Sequence, residues 1–470
     1  MKTSKKFFIY LLIVLVLSTS CVNRRIYSLN QSRKDVESVK LKDINNDLDE
    51  NEAENTFFPD DVKKFKTYKD YFDWYDSLES PPVLTLPKPE TPKPLTNEEM
   101  IEDYEYFFKI IKENYPFIEL IETEHGYNFI DNHDLYLSWV KECKNDDDFY
   151  NVLQKIIEQL QNKHAMIADR YYVENSLEHY SHYWKTRSMF LEFLYMNTQT
   201  VRNRYDLEGM QVSGIDKKNG RNKLFDRDRS NENLEIKEIT DNIVSIKINE
   251  MLATYDWKKD KDILNDFCDN LNNYKALVID IRGNGGGNVD YWQKFLLPKI
   301  IGKKYKTDNY MFFKDGDRTK IVLEDGDYNY QKLEDINLSD LHLENEEALK
   351  NFSYFAKETI EISPKDSVDF KGNIYLLIDD KVYSAAESMA SFCKNTNLAT
   401  LVGERTSGDG ITLGVINDYL PNSGYVFSFT NSLGYTSDGS LNEKDKTTPD
   451  IEATDYRQMI DIIKEKEGEN

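Results

Sequence analysis

Between Ala276 and Gly287 the chain reads Ala-Leu-Val-Ile-Asp-Ile-Arg-Gly-Asn-Gly-Gly-Gly, an apolar strand running into five residues of which four are glycine. A short apolar run without polar alternation is what a strand buried on both faces looks like. Glycines just beyond it let backbone amides come close to a substrate and point at developing negative charge, or simply make a tight turn. A phosphate loop does not fit, because no Gly-Lys-Ser/Thr follows and the dinucleotide spacing is absent.

The surrounding texture is that of an α/β domain over residues 236–460. Ile243–Ile248 alternates like a half-buried strand, Ile374–Ile378 is another short apolar run, and helical segments lie between them. Tyr425–Phe429 reads as a further strand, residues 320–350 as an acidic surface excursion, and the polar C-terminus as frayed. No internal repeat is evident.

Ahead of it, residues 95–168 read as a helical domain. Thr96 and Glu99 form a capping box, Ile101, Tyr104, Phe108 and Ile111 follow at helical spacing, and Tyr115-Pro116 ends that helix. Asp146, Asp147 and Asp148 open another, with Phe149, Val152, Leu153, Ile156, Ile157 and Leu160 on one face, ending at Asn162-Lys163-His164. Residues 169–235 are aromatic early and charged late and receive no assignment; no Gly-Leu-Gly-Phe-like carboxylate loop marks an inserted PDZ domain.

The N-terminus has the layout of an export signal: Lys2, Lys5 and Lys6, an apolar run from Phe7 to Leu17, then Ser18-Thr-Ser-Cys21. The run is short for a membrane-spanning helix. Small residues before a cysteine resemble a lipobox, which implies residues 1–21 as a lipoprotein signal and a lipidated Cys21 holding the exported chain on the outer face of the cell membrane. An ordinary cleaved signal and an uncleaved anchor are the other readings. Residues 22–94 would be a charged tether followed by an extended Pro-rich linker from Ser80 to Pro94. A net charge of -24, from 60 Lys+Arg against 84 Asp+Glu, argues against nucleic acid as a partner. Cys143, Cys268 and Cys393 are widely spaced, so neither a disulfide framework nor a metal site is expected.

One further element joins a strand to a serine. In Ile374-Tyr-Leu-Leu-Ile-Asp-Asp-Lys-Val-Tyr-Ser-Ala-Ala-Glu387, Ser384 sits at the start of a helix, with Ala385 and Ala386 leaving room around its hydroxyl. A serine there is, taken alone, usually an N-cap.

In order and approximate spacing, Asp280–Gly287, Tyr383–Glu387, Leu401–Gly408 and Thr448–Ile451 resemble the C-terminal-processing and tricorn-type serine peptidases, a likeness reaching across residues 95 to 455. It implies an α/β core of the ClpP/crotonase type behind an N-terminal helical domain, and peptide-bond hydrolysis through an acyl-enzyme without metal or cofactor. In the processing branch the serine pairs with a lysine of a Thr-x-Gly-Lys-Gly turn; here that turn reads Thr406-Ser-Gly-Asp409-Gly410. The tricorn-like branch, with a histidine from the helical domain and a late glutamate, fits better: Ser384 as nucleophile, His164 as base, Glu443 assisting. Imidazole is suited to take and return a proton near neutrality. The resemblance also implies an oxyanion hole from the Ala385 and Gly286 amides, the latter preferred to Gly285. Lys163 stands where the tricorn pattern has a serine, while Asp280 and Arg282 are expected to pair as scaffold, anchoring of a substrate carboxylate by Arg282 being the other reading. The partner would be a protein or peptide substrate. The alternatives are an inactive surface lipoprotein that binds peptides on the same fold, and a hydrolase acting on another ester or amide.

Overall fold

The computed structural model describes residues 40–43, 56–78, 83–181, 183, 185–207, 232–325 and 329–469. The export-signal run, Cys21 and most of the tether lie outside the described residues. The chain divides into two compact units, Met1–Thr91 with Asp169–Leu224, and Pro92–Ala168 with Phe225–Asn470.

In the first unit, the aromatic cluster after Thr67 forms the helix Tyr68–Asp76, opened by a Thr67–Asp70 capping box. Most of the unassigned stretch is helical, over Arg170–Ser181, Arg187–Met196 and Gln199–Arg204. The Pro-rich stretch departs from a plain linker. Its four proline-free residues Val83–Leu86 keep every amide donor and pair in parallel with Lys40–Asp43 and with Thr56–Phe57. Buried Arg202 then holds the chain just beyond them, donating from Nε to the Pro87 carbonyl at 2.6 Å.

The second unit has the expected α/β class with a helical N-terminal part. Asn97–Asn114 starts on the Thr96–Glu99 capping box, and Asp146–Ile157 starts on Asn145, whose side chain accepts from the Asp148 amide. Between them lie two helices that the sequence reading did not place, Ile118–His125 and His133–Lys141. Their apolar residues are few and interrupted by acidic and polar ones, so no long periodic run announces them.

The central sheet has six strands in the order Ile451–Glu452, Thr400–Gly403, Asn373–Ile378, Ala276–Asp280, Ile243–Ile248 and Leu234–Thr240. All neighbours are parallel except the last pair. Side chains of Ala276–Asp280 alternate between two cores, as a period of two requires. Leu277 and Ile279 pack with the helices Lys258–Leu271 and Ala385–Thr396, whereas Ala276 and Val278 pack with Met459, Ile460 and Ile463. Those three lie on the helix Tyr456–Lys466, so the C-terminus is not frayed. The 320–350 stretch is likewise not only surface, since Leu343, Ala348 and Leu349 enter a core.

A smaller sheet matters most for the site. Met166–Ile167, just after His164, pairs with Val426–Thr430, which pairs in turn with Val415–Tyr419. The Ser428 hydroxyl donates to the His164 carbonyl at 2.6 Å. The end of the helical segment is thereby stitched to the α/β part.

Candidate active site

Parallel pairing of Asn373–Ile378 with Ala276–Asp280 brings the ends of both strands, and the loops beyond them, to the same edge of the sheet. Ligands of open α/β sheets gather at that edge, beyond the carboxyl ends of the strands. From one strand the chain enters the glycine loop; from the other it turns through Asp379–Tyr383 into Ser384.

Ser384 has φ 56° and ψ −123°, a region that an L-residue adopts only under constraint from its neighbours. Its amide donates to the Gly408 carbonyl at 3.3 Å and its carbonyl accepts from Ser388 at 2.9 Å. Its hydroxyl makes no capping bond to the helix that follows. Instead Ser384 Oγ lies 3.2 Å from His164 Nε2.

The other ring nitrogen of His164, Nδ1, lies 2.7 Å from Asp409 Oδ2. Asp409 is buried and accepts at the same oxygen from Asn162 Nδ2 at 2.9 Å and from the Tyr383 hydroxyl at 3.2 Å. A carboxylate is acceptor-only, so Nδ1 carries the proton and Nε2 faces the serine with a lone pair. Burial, with the Asp409 charge beside it, pushes the Tyr383 phenol far above its ordinary pKa, so it remains a donor. Sequence reading took Asp409 only as the residue that excludes a lysine. The available signal was a carboxylate between glycines in a loop adjoining the serine turn, but nothing in linear spacing ties it to His164.

Glu443 makes no recorded bond to His164 or Ser384. It lies on the short helix Asn442–Asp445, and its Oε1 accepts from Asn162 Nδ2 at 3.1 Å while buried Oε2 has no partner among the described residues. Burial and then the neighbouring Asp409 charge raise its pKa well above the ordinary carboxylate range. Glu443 therefore holds its proton to higher pH than an ordinary carboxylate does.

Ala385 opens the helix, and no acceptor is recorded for its amide among the described residues. Gly286 differs from the expected oxyanion donor. Its N–H is held by Asn284 Oδ1 at 2.9 Å, because buried Asn284 folds back over its own loop while its amide group grips the Ile248 carbonyl. A Cβ at Gly286 would stand 2.8 Å from Ser384 Cβ and from the Tyr383 carbonyl, so only glycine allows this approach. Asp280 and Arg282 form a two-pronged ion pair, with 2.8 and 2.7 Å contacts.

One more buried carboxylate underpins the site. Glu387 Oε1 accepts from Asn442 Nδ2 and from the Thr447 hydroxyl, both at 2.7 Å, and burial lifts its pKa to about 7. Asn442 Oδ1 in turn accepts from the Gly410 amide, so Glu387 steadies the loop that carries Asp409. Among the described residues no group of three or more His, Cys, Asp or Glu is arranged to hold a metal ion.

Taken together, these atoms can pass a proton from Ser384 to His164 while Asp409 stabilises the resulting imidazolium. Residues 242–453 match the model of peptidase family S41. Among solved structures, the chain is similar to a peptidase described as putative from Parabacteroides merdae (16% identity, TM-score 0.48, covering 77% of this chain and 95% of that one). Others are mature CPAF complexed with lactacystin (15%, 0.48, 76% and 94%) and a lipoprotein from Streptococcus agalactiae (14%, 0.41, 78% and 95%). No curated protein matches.

Proposed function

We propose that the chain is a serine peptidase that hydrolyses peptide bonds through an acyl-enzyme on Ser384, a reading supported by the match of residues 242–453 to the model of peptidase family S41. The observation that carries this reading is the 3.2 Å approach of Ser384 Oγ to His164 Nε2 by a serine that does not cap its own helix.

His164 Nε2 takes the hydroxyl proton as Oγ bonds to the substrate carbonyl carbon. The proton then passes to the leaving amine as the C–N bond breaks, leaving an ester on Ser384. Water, deprotonated by the same nitrogen, cleaves the ester and returns the proton to Oγ. Asp409 fixes the imidazole tautomer and balances its charge. Tyr383 and Asn162 are positioning residues that hold Asp409, and Glu443 acts through Asn162. The Ala385 amide receives the oxyanion; Gly286 contributes close packing under Ser384, and its amide would join only on leaving Asn284.

We further propose that the protein is exported and held at the membrane through a lipid on Cys21, on the strength of the Lys2–Leu17 pattern and the small residues before the cysteine. Cys21→Ser should then release the protein from the membrane fraction; retention of the variant would overturn this.

Labelling with a fluorophosphonate probe tests the chemistry. Wild type should react, Ser384→Ala should not, and His164→Ala should react far more slowly. Equal labelling of all three would sink the assignment.

A further inference from the structure

Beside the nucleophile stands a cation that the hydrolytic steps above do not use. Lys163 adjoins His164 in sequence and is exposed. Its Nζ donates to Ser407 Oγ at 2.8 Å and lies 5.2 Å from the centre of the Tyr383 ring. Ser407 is itself fixed, its hydroxyl donating to the Asp380 carbonyl at 2.5 Å and its amide to the Val382 carbonyl at 2.9 Å. Every anchor of the ammonium is thus a neighbour of Ser384 in sequence or through the 407–408 loop. No carboxylate of the described residues lies within ion-pair distance of it, although the chain carries 84 Asp and Glu. A long, flexible side chain held by a neutral hydroxyl keeps its charge open for an incoming group.

Resting on the peptidase reading, we infer that Lys163 selects substrates bearing a carboxylate close to the scissile bond. An extended peptide advances about 3.3–3.6 Å per residue, so an ammonium one side chain away from Ser384 meets groups within roughly three residues of the bond cleaved. The carboxylate is that of an Asp or Glu side chain or of the substrate's own C-terminus. The net charge of -24 does not cancel this preference. At physiological ionic strength charges more than about 8 Å away are largely screened, so the local cation outweighs the distant field.

The test uses the purified protein and quenched peptides that share one scissile bond. They carry Glu or Gln at each of the three positions on either side, and each is made with a free or an amidated C-terminus. For wild type, kcat/KM should favour one carboxylate-bearing member over its neutral twin by about 1.5- to 5-fold, chiefly through KM, the range expected of an exposed ion pair. The ratio should shrink in high salt, fall to about one in Lys163→Met, and drop below one in Lys163→Glu. A merely structural lysine would not reverse it. Preference confined to free C-termini identifies the carboxylate as terminal; preference that survives amidation identifies a side chain. A wild-type ratio near one at every position, or a ratio unchanged by both substitutions, overturns the inference while leaving the peptidase reading intact. Absence of both cleavage and Ser384 labelling would defeat the two together.

Discussion

Asp409 and Glu443 share one donor: Asn162 Nδ2 lies 2.9 Å from an oxygen of the first and 3.1 Å from an oxygen of the second. Burial and the Asp409 charge raise the Glu443 pKa, while Asp409 is the one in contact with His164, so the two carboxyl groups differ in role. Asp409→Asn should therefore lower kcat by about 10³–10⁴, because an amide tolerates the wrong imidazole tautomer. Glu443→Gln, which mimics the neutral acid, should cost less than about tenfold. Steady-state kinetics on one peptide compares them; equal losses would reverse the assignment of roles.

Tyr383→Phe removes one of three donors to Asp409 Oδ2 without emptying the space. The loss of one hydrogen bond to a charged group is worth about 1.5–3 kcal/mol. A fall in kcat of about tenfold or more is expected, with KM little changed, since the phenol orients the base rather than the substrate.

Gly286→Ala forces a Cβ to within 2.8 Å of Ser384 Cβ. The serine turn must move, and the probe-labelling rate should fall by about 10², the scale of a 1 Å misplacement of a reacting group. Thermal unfolding should also move to lower temperature, because an alanine at φ 108° is strained and meets backbone atoms. Labelling at the wild-type rate would show that the glycine loop does not press on the nucleophile.

Stability should fall as pH rises across the window set by Glu387. Its folded-state pKa of about 7 exceeds the ordinary 4.5, so the folded chain binds the extra proton between those values. The contribution is fully present below pH 4.5 and lost as pH climbs through 7, amounting to about 3 kcal/mol at 1.36 kcal/mol per unit. Denaturant unfolding at pH 5 and pH 8 should show this loss in wild type and a smaller one in Glu387→Gln. An equal loss in both proteins would remove Glu387 as its source.

The α/β class was legible because Ala276–Asp280 and Ile374–Ile378 are too apolar to be anything but buried strands, and the Thr96–Glu99 box marks a helix start without tertiary help. Ser384 and His164 were reached only through family likeness, since no local rule separates a nucleophile from a cap. Asp409 was not reached because its partner is 245 positions away, across a sheet pairing that sequence spacing does not encode. The bond of the Gly286 amide to Asn284 is not legible for a related reason: only the folded loop turns that side chain inward. The C-terminal helix shows the opposite error, in which Lys and Glu in sequence obscured Met459, Ile460 and Ile463 at helical spacing.

The pairing of Met166–Ile167 with Val426–Thr430 has a bearing on when the chain becomes active. It closes a loop of more than two hundred residues, the kind of long-range contact whose loop-closure entropy slows folding. The pairing carries the residues directly after His164, so without it the imidazole is not held against Ser384. Assembly of the proton relay is thus tied to a pairing between segments that lie far apart in the chain.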